Sequence, residues 1–362
     1  MSKEVKRRFI KREIKNFFRL KPTNRIWHVA FLAALCVGFP LVFGLFIGRM
    51  DYAFVASLAG LVILYMPIYA NFTNKMITLL LCSFGFMFCF GVGLLFSFDP
   101  ILSAIAFGLL SAFVHWICVF YKVKPPRNFF FIMLASIASG TPFVAGKIPE
   151  KIGLIAIGTI ITCLFALGYN LLVRTTTISQ DTKEISKKLN KEEHYASYLE
   201  AAIIGFFMFL SMFIGYLFQL ENPYWIPISC LAVMQGASTY QIWKRGLHRI
   251  LGTITGIGLC WGILSVNMGI TGICITIIVL QFIIEMLVTR HYALAVVFIT
   301  PLTILLAEAA QRTGLSTNEL ITARLIDTAI GITIGAVGGW VVYNEQLKRR
   351  AIKEMSKITK YK

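Results

Sequence analysis

Residues 174–200 read "RTTTISQDTKEISKKLNKEEHYASYLE", a long polar break in a chain that is otherwise a succession of apolar runs. Rich in Thr, Ser, Lys and Glu, the stretch has the composition of a solvated connector and is long enough to include a short surface helix. What flanks it decides the fold. Upstream lie six apolar runs, 28–48, 52–70, 76–96, 101–120, 128–145 and 152–173; downstream lie six more, 201–220, 224–236, 247–266, 269–289, 292–307 and 318–343. Most approach the roughly 20 residues that cross a hydrocarbon core of about 30 Å. The run 224–236 is short unless it continues through "ASTYQIW" at 237–243.

Composition agrees. The 362 residues are 57% hydrophobic and 14% charged, against about 45–50% and about 25% in soluble domains. The expected fold is all-α, a polytopic membrane protein of about twelve transmembrane helices. Lys and Arg concentrate on cytoplasmic segments. With the N-terminus inside, all of the 35 fall on the cytoplasmic side except Arg49, Lys147, Lys151, Arg312 and Arg324. That alternation predicts a multi-pass protein of a bacterial-type plasma (inner) membrane with both termini cytoplasmic.

The net charge of +18 sits in tails and short loops, where it meets anionic lipid headgroups; nucleic acid is not an expected partner. Residues 1–27 form a basic cytoplasmic segment, read as an amphipathic helix that buries Phe9, Ile10, Ile14, Phe17 and Phe18 in the membrane face. Its charged region is too long for a secretory signal, and no cleavage site follows the first apolar run. Residues 345–362 form a basic cytoplasmic tail. All eight cysteines fall within the apolar runs with no pair at ligand spacing, so core packing is expected, and neither a disulfide framework, a metal nor a cofactor.

The connector 174–200 separates two halves, 28–173 and 201–344. Tyr52 and Tyr224 each open a second run. Asn74-Lys75 and His248-Arg249 each precede a third, and Thr141-Pro142 and Thr300-Pro301 each interrupt a fifth. Six runs per half give both copies the same orientation, so parallel six-helix repeats about an axis along the membrane normal are expected, with a substrate path between them.

The run "YWIPISCLAVMQGASTYQIWKRGLHRILGTITGIG" at 224–258, with "YALAVVFITPL" at 292–302 and "ARLIDTAIGITIG" at 323–335, resembles the fusaric acid resistance family, also called aromatic acid exporters. The family's markers fall on Tyr224 and Trp225, on Arg245, Gly246, Arg249, Gly252, Thr253 and Gly256, on Thr300 and Pro301, and on Arg324, Asp327, Thr328 and Gly331. The first half is eroded: Lys75 stands where the arginine would be, and "AIGTIITC" at 156–163 carries neither the Arg nor the Asp of the last-helix signature. The resemblance implies export of small aromatic acids.

An ionisable side chain near the bilayer centre costs at least about 2.5–3.5 kcal/mol, so those present face a cavity or a partner. Arg324 and Asp327 share one helical face. Asp327 lies about nine residues, or roughly 13 Å, below the outer boundary. Either the two form a neutralised structural pair, or Asp327 binds a proton while Arg324 attracts a carboxylate. Glu285 and Arg249 are either an inner gate or a helix-end ion pair. His248 is interfacial or titrates near neutral pH, and His115 reads as a satisfied core histidine.

Pro142 and Pro301 are read as freeing the carbonyls of Ala138 and Val297, paired interruptions of the kind that line a binding site. Gly252-x-x-x-Gly256 and Gly331-x-x-x-Gly335 are read as internal packing of the ninth and twelfth runs. Trp225, Tyr292, Tyr224 and Trp340 either stack on an aromatic ligand or belong to the interfacial belt.

The function expected is a secondary transporter that exports small organic, possibly aromatic, carboxylic acids with proton entry; the alternative is a non-transporting membrane scaffold or a channel-like protein. Its partners would be the organic anion, the proton and lipid headgroups, and the sequence leaves room for a homo-oligomer. No Walker motif, HExxH or nucleophile elbow is present, so an ATP-driven pump and a membrane enzyme are not expected.

Overall fold

The computed structural model describes residues 22, 26–67, 70–173, 191–266, 268–311 and 317–347, of which 191–194, 307–311, 317–318 and 320 are described as backbone alone. The expected amphipathic helix near the N-terminus, most of the connector and most of the basic tail lie outside the described residues.

Among the described residues the fold is all-helical. Twelve α-helices follow in chain order: α1 Trp27–Ile47, α2 Met50–Ala59, α3 Phe72–Leu95, α4 Pro100–Phe120, α5 Phe129–Ser139, α6 Ile148–Leu172, α7 Lys191–Leu217, α8 Trp225–Met234, α9 Thr239–Ser265, α10 Ile270–Leu287, α11 Tyr292–Gln311 and α12 Thr317–Tyr343. Local chemistry sets several of the ends. Asp99 accepts from the Leu102 N–H at 2.7 Å with Pro100 in the first turn of α4, and Ser238 accepts from the Gln241 N–H at 3.3 Å at the start of α9; both fill N–H groups a helix start leaves open. The run 224–236 stays short, because "TYQIW" opens α9 rather than extending α8.

Among the described residues, eight helices are long and apolar enough to cross a membrane. The expectation of about twelve spans meets a difference here: α2, α5, α8 and the apolar part of α11 are shorter. They are the second and fifth helices of each set of six. They tolerate being short because they are largely enclosed by protein: every residue of α8 is buried, as are residues 131–139 of α5.

The packing pairs recur between the sets. In the first, α3 packs on α5 and α6, and α2 on α1 and α6; in the second, α9 packs on α11 and α12, and α8 on α7 and α12. Across the sets, α4 packs on α7 and α10 on α1, while α2 meets α11 and α5 meets α8. The same glycine device serves both. A Cβ at Gly93 of α3 would strike the Ala135 carbonyl of α5, and one at Gly256 of α9 would lie 2.6 Å from the Val297 carbonyl of α11. Likewise Gly158 of α6 meets the Ala56 carbonyl of α2, and Gly331 of α12 the Ile226 carbonyl of α8. The glycines of α9 and α12 therefore seat these helices on α11 and α8 respectively.

Helix ends gather at two faces. On one, Tyr169 and His28 hydrogen-bond at 2.6 Å, Lys75 donates to Asn170 at 3.0 Å, and Gln235 donates to the Pro126 carbonyl at 3.3 Å. Lys122, Lys124, Arg127 and Lys244 are also on this side, the basic face. On the other, Ser103, Tyr216 and the Ser139 carbonyl meet.

Candidate functional site

Between the two sets lies a cavity of about 1850 Å³. It opens on the basic face beside Lys124, Gln241 and Lys244, and reaches inward to Arg324, Trp225, Thr303 and Leu306. The helix pairs joined on the far face, α3 with α4 and α9 with α10, contribute chiefly the parts nearer the basic face.

The second half supplies most of the charge. On α9, Arg245, His248 and Arg249 recur at three- and four-residue spacing and so share a face; on α10, Gln281 and Glu285 do the same, Val288 caps that helix, and all six line the cavity. Arg249 is buried. Its two terminal nitrogens donate to Ser229 Oγ at 3.2 Å and Tyr292 Oη at 3.4 Å. Arg245 donates from Nε to the Ala232 carbonyl at 3.1 Å and lays its guanidinium over the Tyr292 ring, 4.6 Å from the centroid. These neutral partners orient the cations while leaving their charge on the wall.

At the deep end Arg324 is 2% exposed. Its guanidinium stacks 3.3 Å from the Trp225 ring centroid and donates to Thr303 Oγ at 3.2 Å. Stacking on an aromatic face suits a planar, weakly hydrated cation. Trp225 is thus a wall residue of the cavity, enclosed by protein; a place in an interfacial belt is ruled out by its burial.

His248 is buried too, stacked on His291 with ring centroids 5.3 Å apart and on Tyr292 at 6.4 Å. Glu285, also buried, accepts from Gln281 Nε2 at 3.2 Å. Charged residues on the wall are therefore Lys124, Lys244, Arg245, Arg249, Arg290 and Arg324 against the carboxylate of Glu285. The first half contributes an apolar and aromatic wall, including Tyr65, Phe130 and Phe131, with Tyr65 donating to the Arg127 carbonyl at 2.7 Å.

Not every sequence candidate reaches the cavity. Asp327, 1% exposed, lies off its wall, one turn beyond Arg324 on α12. Thr300 bonds back to the Val296 carbonyl at 2.9 Å, and Pro301 lies inside α11, which continues to Gln311. Thr141 and Pro142 do not interrupt a helix: α5 ends at Ser139, and the Ala138 carbonyl accepts from the Thr141 N–H at 3.0 Å. The paired-interruption reading therefore fails on the first-half side. Lys75 is not the counterpart of Arg249 either. In the register set by Gly93 and Gly256 the matching residue is Phe86, in the aromatic cluster with Tyr65 and Phe131. His115 is buried in the interior, its Nδ1 3.1 Å from Asn128 Nδ2 and its Nε2 3.4 Å from Glu200 Oε1.

Sequence reasoning passed over His291, Gln281, Ser229 and Thr303. A four-residue step from Gln281 to Glu285 was the one local signal; the others join the site only through helix crossing.

The molecule is thus a multi-pass membrane protein enclosing a basic, aromatic-flanked cavity. Residues 210–338 match the family described as fusaric acid resistance protein-like, which bears out the resemblance carried by the motifs between α8 and α12. The chain is also 22% identical to "Uncharacterized membrane protein YvaC" of Bacillus subtilis (strain 168), over 93% of this chain and 76% of that one. No solved structure matches.

Proposed function

We propose that this protein is a secondary transporter that exports small organic carboxylic acids, aromatic ones among them, with proton entry assisting. The observation that carries the reading is the wall of Arg245, Arg249 and Arg324 facing an aromatic wall across one cavity. Buried cations are costly in a membrane unless a passage uses them, and a carboxylate on an aromatic ring matches both walls. An inside-negative potential favours anion exit by about 2.3 kcal/mol per charge per 100 mV.

The two sets of six act as parallel repeats, rocking about the cavity to expose it to each side in turn. The recurrence of helix pairs and glycine contacts supports this arrangement. With the basic face cytoplasmic, as the distribution of Lys and Arg favours, the cavity faces the cytoplasm and collects its substrate there. The proton is assigned to the buried carboxylates, Glu285 on the wall and Asp327 behind Arg324.

Efflux of radiolabelled benzoate from vesicles reconstituted with the protein tests the reading. Potential-driven efflux that saturates, with Arg324→Gln raising the half-saturating concentration by about tenfold, is the expected result. Efflux no faster than from protein-free vesicles refutes it.

A further inference from the structure

The two flanks of the cavity differ in how they meet the membrane. On the α9–α10 flank the deeper charged and polar wall residues are enclosed, Arg249 being 4% exposed, Glu285 3% and His248 6%, while Tyr240 near the mouth is uncovered. On the α3–α4 flank, large apolar and aromatic wall residues are uncovered: Leu81 is 68% exposed, Phe84 66% and Tyr121 72%. Leu81 and Phe84 continue a stripe on α3 with Ile77 and Leu80, which are exposed but off the cavity wall. Cavity surface and lipid-facing surface therefore run into each other along α3. Phe113 and Tyr121 edge the gap on α4. These helices are joined on the far face by residues 96–99, and α5 packs against both. The gap thus lies toward the basic face, at the depth of one leaflet.

Size points the same way. About 1850 Å³ exceeds the about 300–1,000 Å³ that encloses a drug-sized ligand, and far exceeds what one small acid fills. An apolar doorway at one edge and buried arginines at the far wall suit a molecule with the same division.

Resting on the transport reading above, the geometry points to a lateral portal between α3 and α4, through which the cavity takes amphipathic monoanions, an acidic head on a long apolar body, from the leaflet at the basic face. The body partitions into lipid first, so the portal draws on a concentrated local supply. The head then moves to Arg249 while the body stays against Tyr65 and Phe130. Apolar portal residues add no desolvation cost for that body, whereas the α9–α10 flank is lined at depth by Arg245, His248, Arg249 and Glu285, a poorer match to an apolar chain.

The test uses the full chain in phosphatidylcholine nanodiscs, with benzoate and decanoate as probes, decanoate binding being corrected for uptake by empty discs. Decanoate is expected to bind at least about tenfold more tightly than benzoate, a ratio that burial of only two or three methylenes would supply. Leu81→Trp/Phe113→Trp, which narrows the gap, is expected to slow decanoate association by about tenfold, several-fold more than it slows benzoate. Phe113→Ala, at an exposed position that does not threaten folding, is expected to speed decanoate association. Arg249→Gln should weaken both probes. A diazirine-bearing decanoate should label peptides 77–88 and 113–121. Equal affinity for the two probes, portal variants that leave decanoate unchanged, or labelling confined to α9 and α10 would overturn the portal while leaving the transport reading intact. Failure of benzoate itself to bind would count against both.

Discussion

One cavity has two unlike flanks. Helices α3 and α4 with α5 occupy the same places in the first set of six as α9 and α10 with α11 in the second, and glycine contacts hold them in the same register. Yet where the second flank carries Arg245, Arg249 and Glu285, the first carries Phe84, Phe113 and the Tyr65–Phe86–Phe131 cluster. Two sets of helices that share their packing pairs bear a charged wall on one side and an apolar wall on the other. The difference teaches that scaffold and chemistry separate here. Small residues fix how the helices meet, and the residues one turn away decide what the cavity binds.

The contrast can be broken most severely by making the charged flank resemble the apolar one. Arg249→Leu removes the donors to Ser229 and Tyr292, and benzoate affinity is expected to fall by about 10–100-fold, the range for a lost charge-assisted hydrogen bond. Titration calorimetry reads it.

A second change separates the two carboxylates. Asp327→Asn is expected to abolish proton-linked benzoate efflux in vesicles while leaving expression intact, and Glu285→Gln to flatten its pH dependence. Wild-type transport in Asp327→Asn makes Asp327 a structural residue of α12 and gives the proton to Glu285.

Packing gives the next effect. Gly256→Ala places a methyl within 2.6 Å of the Val297 carbonyl, a backbone contact that cannot rotate away. Overpacking of this kind costs about 1–3 kcal/mol, seen as a lowered Tm in detergent with the cavity residues unchanged. The smallest effect belongs to the apolar flank. Tyr65→Phe removes the bond to the Arg127 carbonyl but keeps the ring, so a loss of about 1 kcal/mol of stability with unaltered benzoate affinity is expected.

Much of this was legible in the chain itself. The apolar runs mark the twelve helices, with ends displaced by up to about ten residues, because span-length hydrophobicity and the basic breaks between spans are local signals. Arg249 and Arg324 were legible too, since ionisable groups inside apolar runs stand out, whereas Arg245, in the break between two runs, was visible only as part of the motif it shares with Arg249. What remained hidden is tertiary. Nothing near Asp327 reveals that it lies off the wall while Arg324, one turn earlier, is on it. Thr141-Pro142 and Thr300-Pro301 are alike as dipeptides, but the first follows a finished helix and the second lies within one. The Lys75 assignment failed for a related reason. Register between weak repeats is set by where backbones touch, at Gly93 and Gly256, rather than by matching charges. The lateral gap left no trace in composition, because wall residues such as Leu81 and lipid-facing ones such as Leu80 are chemically the same.

The most direct test of the central claim, a ligand-accessible cavity ending at Arg324, is thiol labelling at its deep end. Thr303→Cys protein in inside-out vesicles is treated with a membrane-impermeant methanethiosulfonate, and modification at position 303 is read by peptide mass spectrometry with and without benzoate. The account expects labelling from the basic face and protection by benzoate. A thiol at 303 that stays unmodified from that face, or that reacts equally fast with benzoate present, would contradict it.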